Sequence, residues 1–363
     1  MKLEKLLVFL ACISFLSFSL CESSRFKGLS EKSCLEFYGV EFVEDLEDPE
    51  KGLDVVSRLG LNLVLECFYD WEGVEGWNVK LESFRRRNIR VIAWLIDTSG
   101  SENCFDGWFW SGDHWEIKEV GYDFLVWAEE ISGNVNHRYY NTLFAVFGLE
   151  EPYWTTTPGG PFTTAQLQEL YRKIKSVAPH VKIYSELSDM DAFDRDGWRG
   201  GAFGAIEEYK RFDEDDLDFA DGVADYAGIW FYPFIKEYEG ESPTSYVSGA
   251  SCASPEDCLN RVVDVIIRNK RLVEERAPNT KLVFVLQAFG GGIYRMPSPS
   301  EMRKLARTVV SLNCVSGVLW YFWDNPCPSC EYTDWLSRES GEYWSVIREF
   351  SFELIVLESV RLL

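Results

Sequence analysis

The sequence predicts an α/β fold, a single-domain (β/α)8 TIM barrel. Eight short runs rich in β-branched and aromatic residues alternate with longer stretches of helical period, the pattern of repeated βα units around a parallel sheet. No Gly-rich phosphate loop follows the first run, which argues against an open doubly wound sheet. No internal repeat or low-complexity linker divides the 363 residues, a length that one barrel with long loops can fill.

The expected strands are Phe37-Phe42, Leu63-Phe68, Arg90-Ile96, Thr142-Phe147, Lys182-Glu186, Tyr226-Tyr232, Lys281-Gln287 and Gly317-Phe322. Helices are expected at Pro49-Leu59, Trp77-Arg87, Tyr122-Ile131, Thr164-Ala178, Ala205-Phe212, Pro255-Ala277, Ser300-Ser311 and Tyr343-Val360. Several carry start signals. Thr163 and Thr164 can cap the fourth helix, and both Ser254-Pro255-Glu256-Asp257 and Ser298-Pro299-Ser300-Glu301 combine a cap, an early Pro and acids at the positive end of the helix dipole.

The chain begins Met1-Lys2-Leu3-Glu4-Lys5 and continues as an apolar run to Leu20, broken only by Ser14, Ser17 and Ser19. A basic start and an apolar run of about 15 residues describe a secretory signal peptide over residues 1–21 rather than a membrane span, which needs about 20. The barrel domain is then 22–363, secreted or at the cell surface. A lipoprotein attached at Cys21 is the rival reading, although Leu20 stands where such a signal has Gly or Ala.

Charge and cysteines narrow the partners. Losing Lys2, Lys5 and Glu4 takes the net charge from -23 to -24, a surface that repels phosphate backbones and excludes nucleic acid as a natural partner. Ten cysteines fall to eight, an even number in an exported chain. Cys252-Cys258 and Cys327-Cys330 are expected as local disulfides. Closure of the barrel makes Cys34-Cys314 and Cys67-Cys104 neighbours as well. His114, His137 and His180 are the only histidines and none has ligand spacing with a cysteine pair, so no metal or other cofactor is expected.

In a (β/α)8 barrel the chemistry stands at the carboxyl-terminal ends of the strands. Those ends are rich in carboxylates and aromatic rings: Glu66, Asp97, Glu150 and Glu151 followed by Tyr153 and Trp154, Glu186, Trp230 and Tyr232, Gln287, and Trp323 with Asp324. Cleaving a glycosidic bond requires one carboxyl group to protonate the departing oxygen and a second to attack the sugar or activate water. Trp and Tyr offer flat faces to sugar rings, Trp71 and Trp110 among them. The expected partner is a carbohydrate. Arg295, after the Gly290-Gly291-Gly292 loop, either reaches the ligand or pairs with an acid at the rim.

The stretch Glu150-Glu151-Pro152 resembles the Asn-Glu-Pro motif of clan A-like (β/α)8 glycoside hydrolases, which keep an acid/base after strand four and a nucleophile after strand seven. The resemblance implies Glu151 as acid/base, Glu150 in place of the Asn that contacts the sugar 2-hydroxyl, and Trp323 as a platform. It also implies a Glu at the end of strand seven, where this chain has Gln287. An amide cannot form a glycosyl ester or activate water. Three explanations stay open: another acid serves, with Asp324 foremost and Glu186, Glu66 or Asp97 behind it; the substrate supplies an N-acetyl nucleophile; or the barrel binds glycans without cleaving them. A structural exported protein with no ligand is a further alternative.

Overall fold

The computed structural model describes residues 35–43, 49–98, 107–150, 162–187, 220–231, 234, 273–291, 295–312, 315–321, 323, 332–336 and 341–361, with several residues of 260–271. All eight expected strands form: Phe37–Glu41, Leu63–Tyr69, Arg90–Ile96, Leu143–Glu150, Ile183–Leu187, Tyr226–Phe231, Lys281–Gln287 and Val315–Tyr321. Each pairs in parallel with the next, and the eighth pairs with the first, Phe37 beside Gly317, so the sheet closes as a TIM barrel. Side chains alternate across the wall because a strand has a period of two. Leu63, Leu65 and Cys67 enter the lumen cluster, while Val64 and Phe68 join the outer cluster under the helices.

Helices cover the wall at Pro49–Arg58, Gly73–Arg86, Glu119–Ser132, Thr164–Val177, Pro299–Ser311 and Glu342–Arg361, and the described residues between 260 and 276 are mostly helical. The sequence-derived helix at Ala205-Phe212 lies outside the described residues. Both legible caps form as capping boxes: Thr163 with Gln166, and Ser298 with Glu301. Ser298 Oγ accepts from Glu301 N at 3.3 Å while Glu301 Oε2 accepts from Ser298 N at 2.7 Å. Ser298→Ala is expected to lower stability by about 1 kcal/mol, read as a shift in the urea midpoint with an unchanged slope.

Two short antiparallel ribbons extend the carboxyl-terminal face. Trp108–Trp110 pairs with Trp115–Ile117, and the Trp108 indole donates to Gly148 O at 2.7 Å, tying the segment after strand three to strand four. The stretch after strand seven, read from sequence as a flexible loop, instead supplies Phe289–Gly291, which pairs with Tyr332–Trp335. Gly291 has φ 141°, a conformation that suits a residue without a Cβ at the bulge of that ribbon.

No helix among the described residues is long and apolar enough to cross a membrane. Cys67 is buried at the end of strand two. The other cysteines of the four expected disulfides lie outside the described residues, as does the segment 1–21.

Candidate active site

Three carboxyl groups come together at the carboxyl-terminal end of the lumen. Glu41 is the last residue of strand one, Glu150 the last of strand four, and Glu186 lies one residue from the end of strand five, in register with Glu150. Glu41 is 0% and Glu186 4% exposed. Beneath them Tyr184 donates its hydroxyl to Glu186 Oε1 at 2.7 Å. Room for that ring comes from Gly228 on strand six, where a Cβ would stand 2.1 Å from the Tyr184 hydroxyl oxygen. On the neighbouring wall Trp94 stacks on Phe147, with centroids 4.6 Å apart.

The chemistry of Glu41 and Glu186 follows from their burial. Two ionised carboxylates are both acceptors and cannot satisfy each other. Both Glu41 oxygens are buried without a hydrogen-bond partner among the described residues, although the Glu186 carboxyl stands beside them. One proton completes the pair. Burial holds Glu41 well above the usual carboxylate range, and the neighbouring charges of Glu186 and Glu150 raise it further. Burial also raises Glu186, opposed by the Glu41 carboxyl beside it and by the Tyr184 hydroxyl bond. Tyr184 is pushed up too, first by burial and then by the two carboxylates, so it stays a donor. The pair therefore holds a proton at pH values where an exposed carboxylate has released its own.

Backbone strain marks the same place. Phe42, directly after Glu41, has φ 55°, the left-handed region that a bulky side chain enters at a cost of order 1–3 kcal/mol. It is held there by Phe42 N donating to Leu65 O at 2.9 Å and by ring contacts with Trp94 and Tyr321. The Glu41 carbonyl accepts from Trp323 N at 2.8 Å.

Of the residues singled out in the sequence, the structure brings Glu150 and Glu186 together and adds Glu41. Others are elsewhere. Glu66 accepts from Val43 N at 2.8 Å and from Cys67 N at 3.0 Å, and so fastens the chain leaving strand one. Asp97 is buried against the Lys118 ammonium at 2.6 Å. Arg295 makes two bonds with Glu301, at 2.7 and 2.8 Å, and lies over the Phe234 ring, so it takes the ion-pair role of the two considered. Trp323, expected as a sugar platform, is instead buried and stacks on Trp344 of the last helix with centroids 5.8 Å apart.

Gln287 is also a fastening. Its Oε1 accepts from Phe234 N at 2.9 Å, and its Nε2 lies 2.9 to 3.2 Å from the carbonyls of Phe234, Phe289 and Arg295. The segments after strands six and seven are thereby pinned to one buried amide.

Trp230 continues strand six in register with Val285. Glu151, Asp324, Tyr153, Trp154 and Tyr232 lie outside the described residues. Trp71, after strand two, is 71% exposed and stacks on Tyr69 at 5.6 Å, an open indole face on this side of the barrel. No group of three or more His, Cys, Asp and Glu among the described residues is set to hold a metal ion.

No family model and no curated protein matches the sequence. Among solved structures the chain is similar to a glycoside hydrolase family 5 mannosidase of Rhizomucor miehei, at 11% identity over 92% of this chain and 98% of that one, TM-score 0.52. It is also similar to an endo-beta-1,4-mannanase of Thermotoga petrophila, at 11% identity over 88% and 77% of the two chains, TM-score 0.51. A third is the exo-beta-1,4-mannosidase Op5Man5 of Opitutaceae bacterium strain TAV5, at 14% identity over 89% and 62%, TM-score 0.53. At these identities the likeness is one of fold, the (β/α)8 barrel that these glycoside hydrolases share with this chain.

Proposed function

We propose that this protein is a glycoside hydrolase acting on an oligo- or polysaccharide. The observation that carries the reading is the gathering of Glu41, Glu150 and Glu186 from strands one, four and five at the end of the barrel where such folds do their chemistry. Glu151, next to the last residue of strand four, is the general acid/base. Glu186 is the carboxylate that faces the sugar, with Asp324 the other candidate for that role. Glu41 and Glu186 share the site's proton at rest, and Tyr184 fixes the Glu186 carboxyl through its 2.7 Å bond. The solved barrels of similar fold that are mannosidases and a mannanase make β-linked mannans the first substrates to try. The leader 1–21 would deliver the protein to an external glycan.

The test is release of reducing ends from mannan, xylan and glucan oligosaccharides. The wild-type chain cleaves at least one, and Glu151→Gln lowers turnover by about 10²–10⁴-fold while thermal midpoint and sugar affinity stay near wild type. Wild-type turnover in that variant removes Glu151 from the role. A second reading, a carbohydrate-binding barrel without catalysis, is favoured by Gln287 standing where the related hydrolases keep a nucleophile. Saturable sugar binding with no product from any substrate would establish it.

A further inference from the structure

The opposite end of the lumen carries the reverse charge. Three aromatic rings close it: Phe37, Phe144 and Tyr226, with centroids 4.5 to 5.8 Å apart. On them stand three cations from the starts of strands three, five and seven. The Arg90 guanidinium lies 4.6 Å from the Phe37 centroid, Lys182 Nζ 4.7 Å from Phe144, and Lys281 Nζ 5.4 Å from Tyr226. Parallel strands of alternating parity put these side chains in one inward layer, where a barrel ordinarily places apolar residues.

Among the described residues, two of the three have close partners, and Lys182 is the one left over. Glu36 takes Lys281 at 2.7 Å, and its backbone carbonyl takes Arg90 at 2.8 Å. Asp225 is committed to Lys175, Tyr171 and the backbone of Ile183, and Glu129 is committed to His180. Lys182 has no carboxylate partner among the described residues. Partial burial lowers its basicity most, and the charges of Lys281 and Arg90 lower it further against the opposing pull of Glu36 and Asp225. The rings offset part of this through cation–π attraction, and an anion would offset the rest.

Beside this layer lies an open bowl of about 500 Å³ walled by Arg90, Phe144 and Lys182, with Asn88 and Asn141 at its edge; the one carboxylate among the described residues of its lining, Glu36, is paired with Lys281. We propose that this amino-terminal mouth binds a small anionic ligand, one carrying a phosphate or carboxylate group on a body of roughly monosaccharide size. The oxyanion sits between Lys182 and Arg90, and the Asn side chains receive the polar remainder. A chain with net charge -23 disfavours anions generally, so a local excess of cations in a concave site is selective rather than incidental. The site lies across the barrel from the carboxyl cluster and does not rest on the hydrolase reading.

Calorimetric titration of the full chain at low salt tests it, with inorganic phosphate, D-glucuronate and uncharged glucose as probes. Saturable binding of phosphate, glucuronate or both, but not glucose, is expected, and the two anions distinguish a phosphoryl from a carboxylate source. Lys182→Met keeps the apolar stem over Phe144 and should weaken binding about tenfold or more. Lys182→Gln, which also removes that charge, serves if the Met variant does not fold. Glu186→Gln should bind the anion as the wild type does, which separates this site from the other mouth. Failure of both anions to bind saturably, or unchanged affinity in the folded lysine variants, overturns the proposal.

Discussion

Gln287→Glu is expected to destabilise the protein by about 3 kcal/mol or more and to restore no hydrolysis. From sequence alone this substitution looks like the repair of a lost strand-seven nucleophile. In the structure the Gln287 amide nitrogen lies within hydrogen-bond distance of the carbonyls of Phe234, Phe289 and Arg295. A carboxylate would turn an oxygen toward those carbonyls in a site with 0% exposure. A buried carboxylate with one oxygen facing only acceptors costs several kcal/mol, even though Phe234 N still serves the other oxygen. The introduced acid would be favoured in its neutral form, which can still donate one bond. The loss should therefore be smaller near pH 4 than near pH 8 in urea unfolding. A variant as stable as wild type at pH 8 would show that the clamp is not a structural requirement.

The second large effect is a pH dependence seated in Glu41. Its folded-state pKa is raised, and that of Glu186 with it, so between the ordinary carboxylate range and the raised value the folded protein holds protons that the unfolded chain has released. Stability from this pair is fully present at low pH and falls as pH rises through that window, at up to about 1.4 kcal/mol per pH unit for each proton. Carboxylates of the opposite kind, such as Glu301, which burial raises but the bonds from Arg295 and Ser298 bring below the ordinary range, lose their contribution as pH falls. The two windows are distinct. Glu41→Gln supplies an amide that can donate to Glu186 at any pH, so its unfolding free energy should vary less between pH 5 and 8 than that of the wild type. Equal slopes in the two proteins would mean that the pair does not share a proton.

The barrel wall was legible because each strand is a compact apolar run between turn residues, and the two capping boxes were legible because their spacing is local. The site was legible in part. Glu150 and Glu186 announce themselves as acids at strand ends, whereas Glu41 obeys the same rule but is hidden inside the run Phe37-Phe42. Glu66 shows what parity adds. It shares the alternation of Val64 and Phe68, which face the helices, so a period-two reading already points it away from the lumen. Gln287 and Trp323 could not be judged this way. The partners of Gln287 include Phe234, 53 residues away, and the neighbour of Trp323 is Trp344 on the last helix, contacts that only the closed ring brings about.

The most direct test of the carboxyl cluster as a sugar site is the initial rate of mannooligosaccharide cleavage by wild type and by Glu186→Gln, measured across pH 5 to 8 on folded protein. A measurable wild-type rate that drops by about 10²–10⁴-fold in the variant, with its thermal midpoint largely kept, is the predicted result. A rate that survives the loss of the Glu186 carboxylate would contradict the account and move the chemistry away from strands one, four and five.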